Sequence, residues 1–187
     1  MRICKLLPSL AAFAPSVKRA VQTAPALPRN RIKVRKPMRR KDRATTIEEA
    51  RILLETAQYG VLSMASLDGS PHGIPLNFAF DGDCIFFHCA LEGKKIDLLS
   101  VNGKVSFCVV GKTEVLPEKF GTKYESVVAA GIVEELFDEE KRAGLVLLVR
   151  KYSPDYFTQG LEYIDGFFDK TKVFRVRLES ITGKARR

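Results

Sequence analysis

Residues 74–100 read I-P-L-N-F-A-F-D-G-D-C-I-F-F-H-C-A-L-E-G-K-K-I-D-L-L-S, and no other stretch restricts the fold so tightly. Ile74, Leu76, Phe78 and Phe80 alternate with Pro75, Asn77, Ala79 and Asp81, the period of a strand with two unlike faces. Asp81-Gly82-Asp83 is hairpin chemistry, because glycine accepts the positive φ that a tight turn requires. The apolar run from Cys84 to Cys89 fits a buried return strand. Glu92-Gly93-Lys94-Lys95 then opens a helix over Ile96, Leu98 and Leu99. Free N–H groups and two cations at a helix start make a place for a phosphate.

The flanking segments extend this pattern. Thr46-Ile47-Glu48-Glu49 is a capping box, and Ile47, Ala50, Leu54 and Ala57 fall on one face of the helix it starts. Residues 59–66 form a strand, and Asp68-Gly69 turns the chain into the strand at 70–80. Asn102-Gly103 is expected to end the lysine-headed helix in the left-handed region. Residues 104–111 are strongly β-forming, and 112–122 read as a polar loop. Residues 124–136 form the next strand, with Gly131 as a bulge. Asp138 is expected to cap a helix carrying Glu139 and Glu140 in its first turn and Arg150-Lys151 at its end. A second short helix is expected through 156–163. The last strand is expected at 171–179, with Phe174, Val176 and Leu178 opposite Arg175, Arg177 and Glu179.

This pattern predicts a mainly β, α+β domain of six antiparallel strands with two or three flanking helices. Half-buried strands in that number do not leave their edges open cheaply, so closure into a barrel is expected. Residues 1–37 form a separate region, with prolines at 8, 15, 25, 28 and 37 that break any long helix. That region is expected to be a disordered tail, with a targeting peptide as the alternative. The domain is expected over 38–187. Residues 1–41 hold twelve Lys/Arg and no Asp/Glu, whereas the remainder holds 19 basic and 22 acidic residues. The folded region is therefore slightly acidic despite the overall +9. A basic-tailed barrel that binds nucleic acid is the alternative function, but an acidic domain without a basic-aromatic sheet face argues against nucleic acid as a partner.

Cysteines at 4, 84, 89 and 108 include no C-x-x-C pair, and His72 and His88 are the two histidines, so no metal site is expected. Cysteines inside apolar strand patterns behave as small hydrophobes and favour a reducing, cytoplasmic setting. No apolar run approaches the ~20 residues of a membrane span. G-x-G-x-x-G and P-loop motifs are absent.

The run L-N-F-A-F-x-G-x-x-I-F-F-H-C-A-x-E-G-K-K, with M-R-R-K-D-R at 38–43 and T-K-Y-E-S-V-V-A-A-G at 122–131, resembles the flavin-binding split barrels related to pyridoxamine phosphate oxidase. Within them it is most similar to the nitroimidazole-resistance branch. The resemblance implies a homodimer with FMN on the outside of a six-stranded split barrel, at the subunit interface. It implies that Lys94 and Lys95 hold the phosphate, and that Phe87, His88 and Cys89 end the strand beside it. His88 is the candidate proton donor and the one catalytic candidate. Pro75, Leu76 and Asn77 are expected along the flavin ring, and Tyr124, Ser126 and Val127 are expected to reach it from the partner subunit. The implied activity is a flavin-dependent, nitroreductase-like transfer of electrons from a reduced donor, such as NAD(P)H, to a small acceptor such as a nitro-aromatic compound. A barrel that holds flavin without turnover is the other reading. The ending I-T-G-K-A-R-R departs from the basic substrate motif of the vitamin-phosphate oxidases, which argues against that substrate.

Overall fold

The computed structural model describes residues 38–187. The 1–37 tail therefore lies outside the described residues. One sheet carries seven antiparallel strands: β1 (Gly60–Ala65), β2 (Pro71–Leu76), β3 (Ala79–Asp81), β4 (Cys84–Cys89), β5 (Lys104–Leu116), β6 (Gly121–Leu136) and β7 (Lys172–Arg186). Their order across the sheet is β2-β1-β5-β6-β7-β4-β3. Helices α1 (Ile47–Thr56), α2 (Lys94–Val101), α3 (Asp138–Tyr152) and α4 (Phe157–Phe167) flank it. Among the described residues no helix is long and apolar enough to cross a membrane.

The seventh strand corrects the expected count of six. The pattern at 70–80 is not one strand but two, β2 and β3, and these are the two edges of the sheet. Only Asn77 and Phe78 separate them. Two residues span at most ~10 Å, so the sheet must curl until its edges lie side by side. No ladder joins those edges, which leaves a seam. Tyr152 of α3 fills it: the Phe78 amide donates to the Tyr152 hydroxyl at 2.9 Å. That hydroxyl also lies 2.9 Å from the Phe78 carbonyl and 2.5 Å from the Gln58 carbonyl, to one of which it donates.

Inside the curl, Phe78, Phe87 and Phe107 are fully buried. Phe78 meets Phe107 edge-on at 4.8 Å, and Phe87 stacks on Phe174 at 5.3 Å. α1 adds Ala50 and Leu54 to this core. Its capping box is present, with Glu49 N donating to Thr46 Oγ1 at 3.1 Å and Thr46 N donating to a Glu49 carboxylate oxygen at 3.0 Å. A second apolar layer lies outside the sheet, where Leu145, Leu148 and Ile164 of α3 and α4 cover Ala79 and Val173.

Three further expectations change. Residues 112–122 are a β-hairpin extension with a single turn at Pro117–Lys119, stapled by Glu114 and Lys123 at 3.0 Å, and β7 runs on to Arg186 to pair with β6 at its base, at Tyr124. Asn102 is extended at φ −147° rather than left-handed; its side chain donates to the Ala65 carbonyl at 2.9 Å and accepts from Lys104 N at 3.1 Å. Asp138 is the first helical residue, not the cap, and takes φ +46° where β6 turns directly into α3. A bulge is present at the expected place but on the facing strand: Ala130 pairs with Ser180 and Gly131 with Leu178, which leaves Glu179 of β7 as the extra residue. A Cβ at 131 would run into the Arg177 carbonyl.

Candidate functional site

A cavity of about 720 Å³ opens at the seam. Leu76 and Asn77 come from the end of β2, and His88 from the outward face of β4. α3 contributes Leu145, Leu148, Val149 and Tyr152, and α4 contributes Tyr163 and Phe167. The size and apolar lining suit a small organic ligand with a few polar contacts. Asn77 and Phe78 belong to no strand. The Phe78 main chain meets the Tyr152 hydroxyl, so the main chain that a planar ligand would find outside any ladder is that of Asn77.

β4 alternates, so its neighbours in sequence face opposite ways. Phe87 points into the core and is fully buried, while His88 points out toward the cavity. Burial against the cavity wall, and then the charge of Lys95, push the His88 pKa below its usual value. This favours the neutral imidazole, which accepts a hydrogen bond at one nitrogen and donates at the other. Burial raises the Cys84 and Cys89 thiols above their usual pKa, so neither is a thiolate nucleophile at neutral pH.

α2 starts just beyond this strand. Gly93 caps it at φ +127°, a conformation that favours glycine. Lys94 is exposed, and Lys95 is half-buried with Nζ 5.8 Å from the centre of the Phe87 ring. Neither has a carboxylate within 4.0 Å among the described residues. Two unpaired cations at a helix N-terminus are disfavoured by the helix dipole unless an anion joins them. The lysines and the backbone thus fit a terminal phosphate, and the seam cavity fits an apolar ring system.

The outward cations in the first half of β7, Lys172, Arg175 and Arg177, are already committed. Glu134 accepts from Arg175 at 2.6 Å and from Arg177 at 2.7 Å, and Lys172 pairs with Glu135 at 2.9 Å. Burial works against the Glu134 charge, but the Arg177 and Arg175 hydrogen bonds outweigh it and hold its pKa below the usual carboxylate value.

One chain brings Leu76, Asn77, His88 and Lys95 into one neighbourhood. Pro75 faces outward opposite Val61, and Cys89 pairs with Lys172 on β7. Tyr124, Ser126 and Val127 are not brought there. Tyr124 and Ser126 lie near the far ends of β6 and β7, opposite Arg186 and Lys184, and the Val127 side chain is core. The sequence reading missed the α3–α4 wall. Its signal was the aromatic set Tyr152, Tyr156, Tyr163 and Phe167, the last three at roughly helical spacing.

A family model described as pyridoxamine 5'-phosphate oxidase matches residues 46–185. No curated protein sequence matches the chain significantly. Among solved structures, the chain is similar to a candidate 5-nitroimidazole antibiotic resistance protein from Bacteroides thetaiotaomicron. That match has a TM-score of 0.66 and 27% identity, and covers 76% of this chain and 86% of that one. A FAD-binding protein from Mesorhizobium loti matches with a TM-score of 0.54 at 24% identity, over 78% and 98% of the two chains. The flavocytochrome Anf3 from Azotobacter vinelandii matches with a TM-score of 0.59 at 18% identity, over 81% and 72%. At those identities the last two share the fold.

Proposed function

The chain belongs to the pyridoxamine 5'-phosphate oxidase family, and from that premise we propose that it is an FMN-dependent oxidoreductase passing electrons from a reduced nicotinamide donor to a small, flat, nitro-aromatic acceptor. The observation that carries this is the seam, where an apolar cavity takes an outward histidine into its wall and Lys95, one of two unpaired lysines at a helix start, lies close enough for its charge to act on that histidine. The flavin-binding proteins among the structural relatives support the cofactor class, and the resistance protein supports the acceptor class.

Bound FMN supplies the redox chemistry, accepting two electrons from the donor and yielding them to the acceptor. The protein's part is positional. Lys94, Lys95 and the α2 amides hold the phosphate. Leu76, Leu145, Leu148 and Val149 exclude water from the ring system. Asn77 offers an amide that both donates and accepts. His88 sits where its imidazole N–H can donate a hydrogen bond to the ring or the acceptor. The reading includes a homodimer. Val61, Val110, Val128 and Ile132 are exposed on the outward faces of β1, β5 and β6, and a second copy would cover them. The ring contacts expected of Tyr124, Ser126 and Val127 would then come from the partner.

Titration of the purified full chain with FMN, FAD and riboflavin, read at the flavin band near ~450 nm, tests this. FMN is expected to bind far more tightly than riboflavin. Lys94→Ala/Lys95→Ala is expected to cost FMN roughly 100-fold or more while sparing riboflavin, as loss of two charge-assisted contacts implies. A chain that ignores all three flavins, or binds FMN and riboflavin alike, overturns the reading.

A further inference from the structure

A second cavity, about 540 Å³, lies at the opposite end of the sheet, where β5, β6 and the last residues of β7 run together. Along β7, Arg186 is fourteen residues beyond Lys172, the partner of Cys89. At ~3.3 Å per residue that path is tens of ångströms, so one ligand seated at His88 does not reach both places in a single chain.

The walls of this cavity are charged, and the charges do not cancel. Glu114 is paired with Lys123 at 3.0 Å, and Arg187 with Glu49. Glu125 accepts from the Lys112 backbone amide at 3.2 Å. Tyr124 stands among the rest, and two cations flank the cavity from just outside its wall: Lys184, two residues before Arg186 on β7, and Arg43, next to Ala44, which bridges Lys184. Hydrogen bonds from Arg43 and then Lys184 hold the Tyr124 hydroxyl below the usual tyrosine pKa. Arg43, Lys112, Lys184 and Arg186 have no carboxylate within 4.0 Å among the described residues. Two unpaired cations, Lys112 and Arg186, thus line the cavity and two more, Arg43 and Lys184, flank it, against one carboxylate, Glu125, that has no cation within 4.0 Å among the described residues. Carboxylates are not scarce in this chain: residues 42–187 hold 22 acidic against 19 basic residues. Elsewhere on the sheet the outward arginines are neutralised by Glu134. Concentrating like charge costs stability unless an anion offsets it.

Arg186 is also held by shape. Its guanidinium lies across the bare backbone of Gly121, and a Cβ at that position would collide with it. An arginine placed by packing rather than by a carboxylate keeps its planar fork of donors free for a bidentate oxyanion.

We propose that this cavity binds a phosphorylated small molecule, with Arg186, Lys184 and Arg43 as the phosphate donors and the Tyr124 ring beside them. The site stands whether or not the seam takes a flavin. Its phosphate has two sources of shared chemistry: the 2'-phosphate of a reduced dinucleotide or a free phosphate ester.

The test is calorimetric titration of the full chain at low ionic strength, where surface electrostatics are least screened, in a Lys94→Gln/Lys95→Gln background that silences the first phosphate site. Inorganic pyrophosphate is the probe. It is expected to bind that background, and further Lys184→Gln/Arg186→Gln changes are expected to weaken it at least about tenfold, as loss of charge-assisted bonds implies. Gly121→Ala keeps every charge and displaces only the guanidinium; it is expected to weaken pyrophosphate as well and serves if the multiple variant fails to fold. Tighter binding of NADPH than NADH assigns the dinucleotide, and response to pyrophosphate alone assigns a free ester. Absence of pyrophosphate binding in the background chain, or affinity unchanged by both Lys184→Gln/Arg186→Gln and Gly121→Ala, overturns the proposal.

Discussion

Tyr152→Phe removes one oxygen from the seam and tests whether that oxygen holds the sheet's edges together. In the native chain the hydroxyl accepts from the Phe78 amide at 2.9 Å and donates to the Phe78 or Gln58 carbonyl. Phe78 itself is fully buried against Phe107. The substitution keeps the ring and its packing, so no cavity opens. It leaves an amide donor without its acceptor in a half-buried place, and an unsatisfied group of that kind costs about 1–3 kcal/mol. Because water has some access to Tyr152, about 2 kcal/mol is the expected loss. For a domain near 150 residues, each kcal/mol moves Tm by roughly 2–4 °C, so a fall of about 4–8 °C follows. Urea denaturation followed by far-UV circular dichroism is the assay, since the chain has no tryptophan. An unchanged slope with a lower midpoint is expected. The same variant should weaken FMN, because Leu76 and Asn77 take their position from the pinned seam. A loss below about 0.5 kcal/mol, within the range of an ordinary surface substitution, would refute the claim that this hydroxyl holds the edges.

Two other substitutions probe the framework around the site. Lys151 lies 3.9 Å above the Phe78 ring centre and 3.5 Å from the Leu54 carbonyl, and burial lowers its pKa from 10.5 to about 8. A depressed lysine pKa penalises the charged form in full below pH 8 and not at all above 10.5. That shift corresponds to about 3 kcal/mol, most of which solvent access and the ring's attraction for the cation remove. Lys151→Met should therefore stabilise the chain by about 1 kcal/mol at pH 7, with the advantage fading between pH 8 and 10.5; urea midpoints across that range check it, and a variant less stable at pH 7 contradicts it. Gly131→Ala drives a Cβ into the Arg177 carbonyl at the β6–β7 bulge and should cost roughly 3 kcal/mol or more, read as a fall in Tm, with an unchanged Tm counting against the bulge as a packing constraint.

How much of this was legible in the sequence depends on the range of the interaction that decides each feature. The capping box at Thr46, the hairpin at Gly82 and the lysine-headed α2 are set by residues within four positions of one another, and all three stand as read. The hairpin extension at 112–122 was misread because its composition is polar and its support is remote. Glu114 finds Lys123 only once the turn at Pro117 has formed, and β6 finds the end of β7 only once the sheet is built. The seam was hidden for the same reason. Ile74, Leu76, Phe78 and Phe80 keep strict alternation through it, so no local signal marks the break. What breaks the strand is a hydroxyl seventy-four residues further along the chain, which substitutes for the ladder that β2 and β3 would otherwise need. The residues best placed for chemistry lie where that substitution occurs, because main chain taken out of a ladder, and walls supplied by helices rather than strands, are what leave room for a ligand on the outside of a filled sheet. An alternating pattern can therefore locate the strands that border such a site, but the opening itself is created by a tertiary contact that the pattern does not encode.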